Sequence, residues 1–409
     1  MKLVIIGNGV AGVMTARYVA ESDPSIEIAL YAEEPYAYYP RPRLIEFLAG
    51  AIPLEGMPLY DDKWYEKRGI HTRLGCSVSA IRPQDHQVVL ADGTIETYDR
   101  LVLATGARNW VPPIVGADLA GVYTLRSLED ARLLRECADR VSCAVMIGGG
   151  LLGLDMSAAL RAHHIEVTVV EALPWLLPRQ LDREGAAVLQ QAIEQMGITV
   201  VTGDQVAAIA GDGRVERLEL KSGRAIPAEM VVVSTGIRSN LTLAQGAGLA
   251  CNRGVVVDEQ LRTSHPDIYA VGDVAEFAGR VWGIIPAAIA QARAAAAQIT
   301  GRGAAPYADI VPSTTLKVTG IDVASIGEVH PEGEGYTEIR CTDTERRIYK
   351  KLVIYQGKVV GAILIGDRSD LRGINALIAG GVDVSAHIGS LLAPGFDLLS
   401  LAQAAAVSA

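Results

Sequence analysis

Two stretches decide the fold: KLVIIGNGVAG at residues 2–12 and AVMIGGGLLG at residues 144–153. Each reads as an apolar strand, a GxGxxG turn and the start of a helix, and Gly7, Gly9 and Gly12 recur 141 residues later as Gly148, Gly150 and Gly153. One such turn is a weak signal. A second pair of matches follows in the same order: DGTIETYDRLVLATGAR at 92–108 returns as SGRAIPAEMVVVSTGIR at 222–238. There Gly93, Thr105, Gly106 and Arg108 reappear as Gly223, Thr235, Gly236 and Arg238, each 130 positions on. The two offsets differ because the first copy carries 11 extra residues between its glycine turn and its TG segment.

Each copy has the pattern of a βαβ unit that binds a dinucleotide. The first glycine permits the turn, the second lets backbone approach a pyrophosphate, and the third lets helix pack on strand. The helix N-terminus then faces the phosphate charge. Such a unit needs an acid about 20 residues on, at the end of its second strand, to hold a ribose diol. The second copy offers Glu171, 18 residues after Gly153, and the first offers Glu33 and Glu34, between which the sequence does not choose. A carboxylate at 171 repels a 2′-phosphate, and no basic residue follows until Arg179, so NADH is expected over NADPH.

The remaining composition narrows the class. A chain of 409 residues, 50% apolar and with 42 glycines, is a well-folded globular protein of two or three domains. Its net charge of −10 argues against nucleic acid as a partner. Its five cysteines form no CxxC pair, which suits a reducing, cytoplasmic setting and buried thiols. No membrane span is expected, since no apolar run approaches about 18 residues. The seven histidines show no metal-ligand spacing, and His163–His164 reads as a helix end.

Adding TSHPDIYAVGDVAEF at 263–277, the chain resembles, over essentially its whole length, the FAD- and NAD(P)H-dependent pyridine nucleotide-disulfide reductase superfamily. The resemblance implies an α/β fold with two Rossmann-like dinucleotide-binding domains, glutathione reductase-like, and an α+β C-terminal interface domain. The implied division is FAD binding at 1–112 and 243–305, NADH binding at 113–242, and the interface domain at 306–409.

By the same resemblance Gly7, Gly9, Gly12, Thr105, Gly106 and Arg108 belong to the FAD site. Gly272 and Asp273 lie at its ribityl or phosphate oxygens. Asp273 has a second reading, as the cap of a helix that follows it. Pro286 and Ala287 open a helix, within 282–301, aimed at the flavin. Arg41 and Pro42, in AEEPYAYYPRPRLIEFLAG at 32–50, line the isoalloxazine. Gly148, Gly150, Gly153, Glu171, Thr235 and Gly236 belong to NADH. Asp155 stands where the family has a glutamate, either at the nicotinamide or on a plain helix surface. Lys317 is placed by its match near flavin or acceptor.

The family's redox cysteine pair is absent from this sequence, so electrons are expected to leave the flavin directly. The stretch 38–50 looks most like NADH:rubredoxin reductases and the flavin part of nitrite reductase large subunits. Ferredoxin reductases of oxygenase systems are close behind, although Glu46 stands where those often have a lysine. The expected acceptor is therefore a small iron-containing carrier such as rubredoxin or ferredoxin. The basic run ERRIYKK, with Arg346, Arg347, Lys350 and Lys351, offers either a docking face or a solvated edge strand. Rival readings are an NADH oxidase or quinone reductase and a non-catalytic nucleotide sensor, and a homodimer is left open.

Overall fold

The computed structural model describes residues 1–302, 305–308, 313–318 and 320–408, with the side chains of 313–318 and 406–408 excluded. The chain forms two compact units: Met1–Trp110 with Arg126–Leu128 and Gly236–Ile310, and Val111–Leu125 with Glu129–Thr235 and Val311–Ala409.

The first unit is built on a five-stranded parallel sheet. Its order is Ile268–Ala270, Arg100–Leu103, Lys2–Ile6, Glu27–Tyr31, Ile70–Arg73. After their first residues the central strands Lys2–Ile6 and Arg100–Leu103 are short runs of Val, Ile and Leu, because both faces are covered and side chains that alternate up and down must both be apolar. Leu3, Val4 and Ile5 are fully buried in this way. The helix Val10–Ser22 packs beside the helix Ile285–Thr300, which ends at Gly301 in the left-handed conformation. A three-stranded antiparallel meander, Val78–Arg82, Gln87–Leu90, Ile95–Thr97, is inserted before the fourth strand.

The second unit repeats this plan. Its parallel sheet runs Ile198–Thr202, Glu166–Glu171, Cys143–Ile147, Met230–Val233, Val122–Tyr123. The meander recurs as Val206–Ala210, Arg217–Leu220, Ala225–Pro227. The edge strand beside the fourth differs in origin: it comes from late sequence in the first unit and from early sequence in the second. The 11 extra residues of the first copy fall between its second and third strands, in residues 32–69. That interval holds the helices Arg43–Leu48 and Asp62–Glu66, where the second copy has the single helix Arg183–Gln195. The expected helix end at His163–His164 is found: Leu151–Ala162 stops at His163, and His164 has φ of 63°.

The same unit carries a five-stranded antiparallel sheet in the order Ser313–Val318, Ile321–Gly327, Lys358–Ile365, Ile348–Tyr355, Tyr336–Asp343. One face is covered by the helices Leu371–Gly380 and Leu398–Ser408. There Leu352, Ile354 and Leu364 bury against Ile374, Leu377 and Leu398. The helices cross closely at Gly373, where a Cβ would lie 2.6 Å from the Leu398 Cβ. Strand alternation then puts Tyr349, Lys351 and Val353 on the opposite face.

Candidate functional site

Both glycine turns have the same geometry. Gly7 has φ of +116° and a Cβ there would lie 2.2 Å from the Ala104 carbonyl oxygen, while one at Gly12 would lie 1.9 Å from the Gly7 oxygen. In the second unit Gly148 has φ of +113° with a Cβ 2.2 Å from the Ser234 oxygen, and Gly153 would meet the Gly148 oxygen at 2.2 Å. The middle glycines differ in kind: a Cβ at Gly9 or Gly150 would meet nothing within 4 Å. Each is the N-cap of its helix, with no side-chain cap and no acidic residue in the first turn. Two helix N-termini are thus left to an outside anion over cleared backbone, which fits a dinucleotide pyrophosphate.

Around the first turn the structure gathers most of the residues expected there. The Gly272 N–H donates to the buried Gln291 side chain at 2.7 Å, and a Gly272 Cβ would lie 2.7 Å from the Ala11 Cβ, against the first turn of the glycine helix. Asp273 accepts from the Arg126 guanidinium at 2.8 Å. It lies in a short 3-10 turn, Gly272–Val274, that leads into a strand, so the helix-cap reading of Asp273 is corrected. Arg126 also lies 3.7 Å from a Gly106 Cβ position, and its carbonyl accepts from Arg41. Arg41 further binds the Glu34 carboxylate and the Tyr39 hydroxyl, both at 3.1 Å. Tyr39 donates to Glu34 and accepts from the Leu128 N–H at 3.0 Å.

Between the second strand and the helix Arg43–Leu48 this stretch is therefore held largely by side chains, since its prolines interrupt regular backbone pairing. Burial pushes the Tyr38 hydroxyl up to about 12, and Tyr39 is raised further, first by burial and despite Arg41. Pro42 is the N-cap of Arg43–Leu48. Thr105 is held by Asn240, whose side-chain amide donates to its carbonyl at 2.9 Å. Arg108 is exposed, opposite Arg238 in a two-stranded pair. Pro286 opens the Ile285–Thr300 helix, which has neither a side-chain cap nor a first-turn acid, and Ala287 is buried.

The register separates the two ribose positions. Gly148 N–H bonds the Val170 carbonyl, and Gly7 N–H bonds that of Tyr31. The residue equivalent to Glu171 is thus Ala32, and the acids of the first copy come one and two residues later. Glu34 is turned to Tyr39 and Arg41, whereas Glu33 is exposed. In the second unit Glu171 accepts from the Gly149 and Leu173 N–H groups, each at 2.8 Å. Thr235 follows the strand end beside Gly148. Gly236, with φ of +110°, opens the segment that clusters with the first unit. Asp155 is half-buried on the Leu151–Ala162 helix. The side chain of Lys317, and so its expected role, lies outside the described residues.

Two expectations are corrected. Lys351 is only 2% exposed; it pairs with Glu338 at 2.8 Å and Asp182 at 3.3 Å, and donates to the Val329 carbonyl at 3.1 Å. Lys350, on the other face, is clamped by Asp367 and Asp370, both at 2.6 Å. Neither forms a docking face; only Arg346 and Arg347, at the hairpin turn, stay exposed. The thiols were expected to be buried, yet Cys341 is exposed and the other four are half-buried.

Sequence reasoning missed Arg126, Gln291, Asn240 and Tyr65, whose hydroxyl donates to the turn residue Asn8 at 3.1 Å. Asn8 lies inside the glycine motif, whereas Arg126, Gln291, Asn240 and Tyr65 are far from it in sequence and carry no local signal. Among the described residues no cluster suited to a metal ion is found and no helix is long and apolar enough to cross a membrane.

Comparison with known proteins agrees with this geometry. Residues 1–298 match the family described as pyridine nucleotide-disulphide oxidoreductase, and residues 312–382 match the rubredoxin NAD+ reductase C-terminal domain. The chain is 35% identical, over 90% of its length and 48% of the relative's, to the assimilatory nitrate reductase electron transfer subunit of Bacillus subtilis. It is 33% identical to the ferredoxin–NAD(+) reductase component of a biphenyl dioxygenase system from Paraburkholderia xenovorans, covering 94% of this chain and 95% of that protein. The chain spans about half the length of the first curated relatives it matches. The solved putidaredoxin reductase–putidaredoxin complex superposes with a TM-score of 0.88 at 27% identity, covering 99% of both chains. With its duplicated glycine turns and its C-terminal sheet, this chain belongs to the pyridine nucleotide-disulphide oxidoreductase family.

Proposed function

We propose that the chain is an NADH-dependent flavoprotein reductase that passes electrons through FAD to a small iron-sulfur or rubredoxin-type carrier. The observation that carries this reading is the pair of cleared, uncapped glycine turns, one in each unit. Gly7, Gly9 and Gly12 would hold the FAD pyrophosphate, with Glu33 at the ribose and Asp273, fixed by Arg126, at the ribityl or phosphate oxygens. Arg41, restrained by Glu34 and Tyr39, would stand at the isoalloxazine edge with Pro42. Gly148, Gly150 and Gly153 would hold the NADH pyrophosphate and Glu171 its adenosine ribose, where a 2′-phosphate is repelled. Bound FAD supplies acceptance of a hydride and release of its electrons one at a time.

The chain's own share is orientation and electrostatics rather than proton transfer. No cysteine lies in the first glycine helix or in 32–50, which supports direct transfer to the acceptor. We infer a division into an FAD domain (1–112, 243–305), an NADH domain (113–242) and an interface domain (306–409). Five cysteines without a disulfide suit a reducing, cytoplasmic compartment.

The test is anaerobic mixing of the FAD-loaded protein with NADH, followed by rubredoxin, ferredoxin, quinone, disulfide or oxygen. Rapid bleaching of the flavin and reoxidation fastest with an iron carrier are expected. A flavin that stays oxidised overturns the enzyme reading, and oxygen as the fastest acceptor overturns the carrier reading.

A further inference from the structure

Asp182 sits at the far end of the loop that begins at Glu171. Both ends of this loop are fixed, by different means. At the near end the Leu177 N–H donates to the Gly149 carbonyl at 3.2 Å, and the Gly149 N–H donates to Glu171 at 2.8 Å. The Leu176 side chain fills the space over Gly149, where a Cβ would lie 2.5 Å from its Cδ2. Within the loop the Trp175 indole donates to the Leu181 carbonyl at 3.0 Å, and Leu176, Leu177 and Leu181 are buried.

At the far end Asp182 caps the helix Arg183–Gln195 by accepting from the Gly185 N–H at 3.0 Å. It also accepts from the Tyr349 hydroxyl at 2.7 Å and pairs with Lys351 at 3.3 Å. Both partners stand on one face of the C-terminal sheet. The Tyr349 ring lies over the first helical turn, 3.0 Å from a Gly185 Cβ position. Arg340, Glu338 and Glu184 complete the charged surroundings.

A helix cap needs one acceptor, which Gly185 alone already uses. Burying a lysine and a tyrosine hydroxyl around the same carboxylate costs desolvation that capping does not require, and such buried networks fix register more than they stabilise. What this network fixes is the sheet against the end of the loop that carries Glu171.

We propose that Tyr349 and Lys351 are positioning residues for the nicotinamide nucleotide, acting through Asp182 on the 172–181 loop and so on Glu171. This rests on the reading of Glu171 as the NADH ribose ligand. The C-terminal sheet thereby sets nucleotide affinity.

The test uses the full FAD-loaded chain with ferricyanide as acceptor and compares Tyr349→Phe, which loses one hydroxyl, with Asp182→Asn, which keeps an acceptor for Gly185. Both are expected to raise KM for NADH by about threefold or more while kcat and FAD content hold. Glu171→Gln is the control. If it raises KM while both other variants only lower Tm, the coupling is overturned and the ribose reading stands. If Glu171→Gln leaves KM unchanged, the ribose reading fails and the proposal with it.

Discussion

The middle glycine of each turn answers to the ligand, and its neighbours answer to the fold. Gly12 has no room for a methyl group, because the Gly7 carbonyl oxygen lies 1.9 Å from where its Cβ would be. Gly9 has φ of −78° and open space, so alanine fits and costs only about 1 kcal/mol as a poorer helix N-cap. Gly12→Ala is therefore expected to yield little folded protein. Gly9→Ala should fold with a Tm within about 5 °C of the parent but purify with much less flavin, as read by absorbance. Normal flavin content in Gly9→Ala would show that the cleared backbone is not where the pyrophosphate lies.

At the scale of the element, Lys350 and Lys351 illustrate what a strand does with two adjacent like charges. Alternation sends one to the helix-covered face and the other to the face holding Asp182. Removing Lys351 takes its charged hydrogen bonds from two half-buried carboxylates that keep Arg340, Tyr349 and Gly185, so Lys351→Ala should cost about 2–3 kcal/mol in urea unfolding. Lys350→Ala, at a partly exposed clamp, should cost about 1 kcal/mol.

The same network gives a pH dependence with a definite sign. Burial alone would raise the Asp182 and Glu338 carboxyls, but Tyr349, Gly185 and Lys351 for the first, and Lys351 with Arg340 for the second, hold both below the ordinary range. Lys350 does the same for Asp367. A carboxyl depressed in the folded state stabilises fully above its unfolded pKa, about 4, and less as pH falls through the folded value. Thermal unfolding between pH 3 and 7 should show this acid loss in the parent and a flatter curve in Lys351→Ala.

For the molecule as a whole, the net charge of −10 disfavours the approach of an acidic carrier at long range. Residues 277–308 contain no Asp or Glu, and Arg280 and Arg293 there are exposed. Local attraction at this stretch should make the rate with an acidic iron-sulfur carrier fall as ionic strength rises. Arg280→Gln with Arg293→Gln should flatten that dependence. A rate that instead rises with salt would mean that the net charge dominates and that docking lies elsewhere.

What the sequence by itself determined is the α/β class, the duplicated nucleotide units and the glycine positions within them. Those features depend on local rules, namely which residues tolerate positive φ, close backbone approach or burial on both strand faces. Tertiary structure alone decided the partners. Arg126 reaches Asp273 across 147 positions, and Asp182 meets Tyr349 across 167. Ala32, and not an acid, stands in register with Glu171. The fate of ERRIYKK was hidden for the same reason: a strand's alternation can be read along the chain, but the carboxylates at 182, 338, 367 and 370 that neutralise its lysines are delivered by the fold.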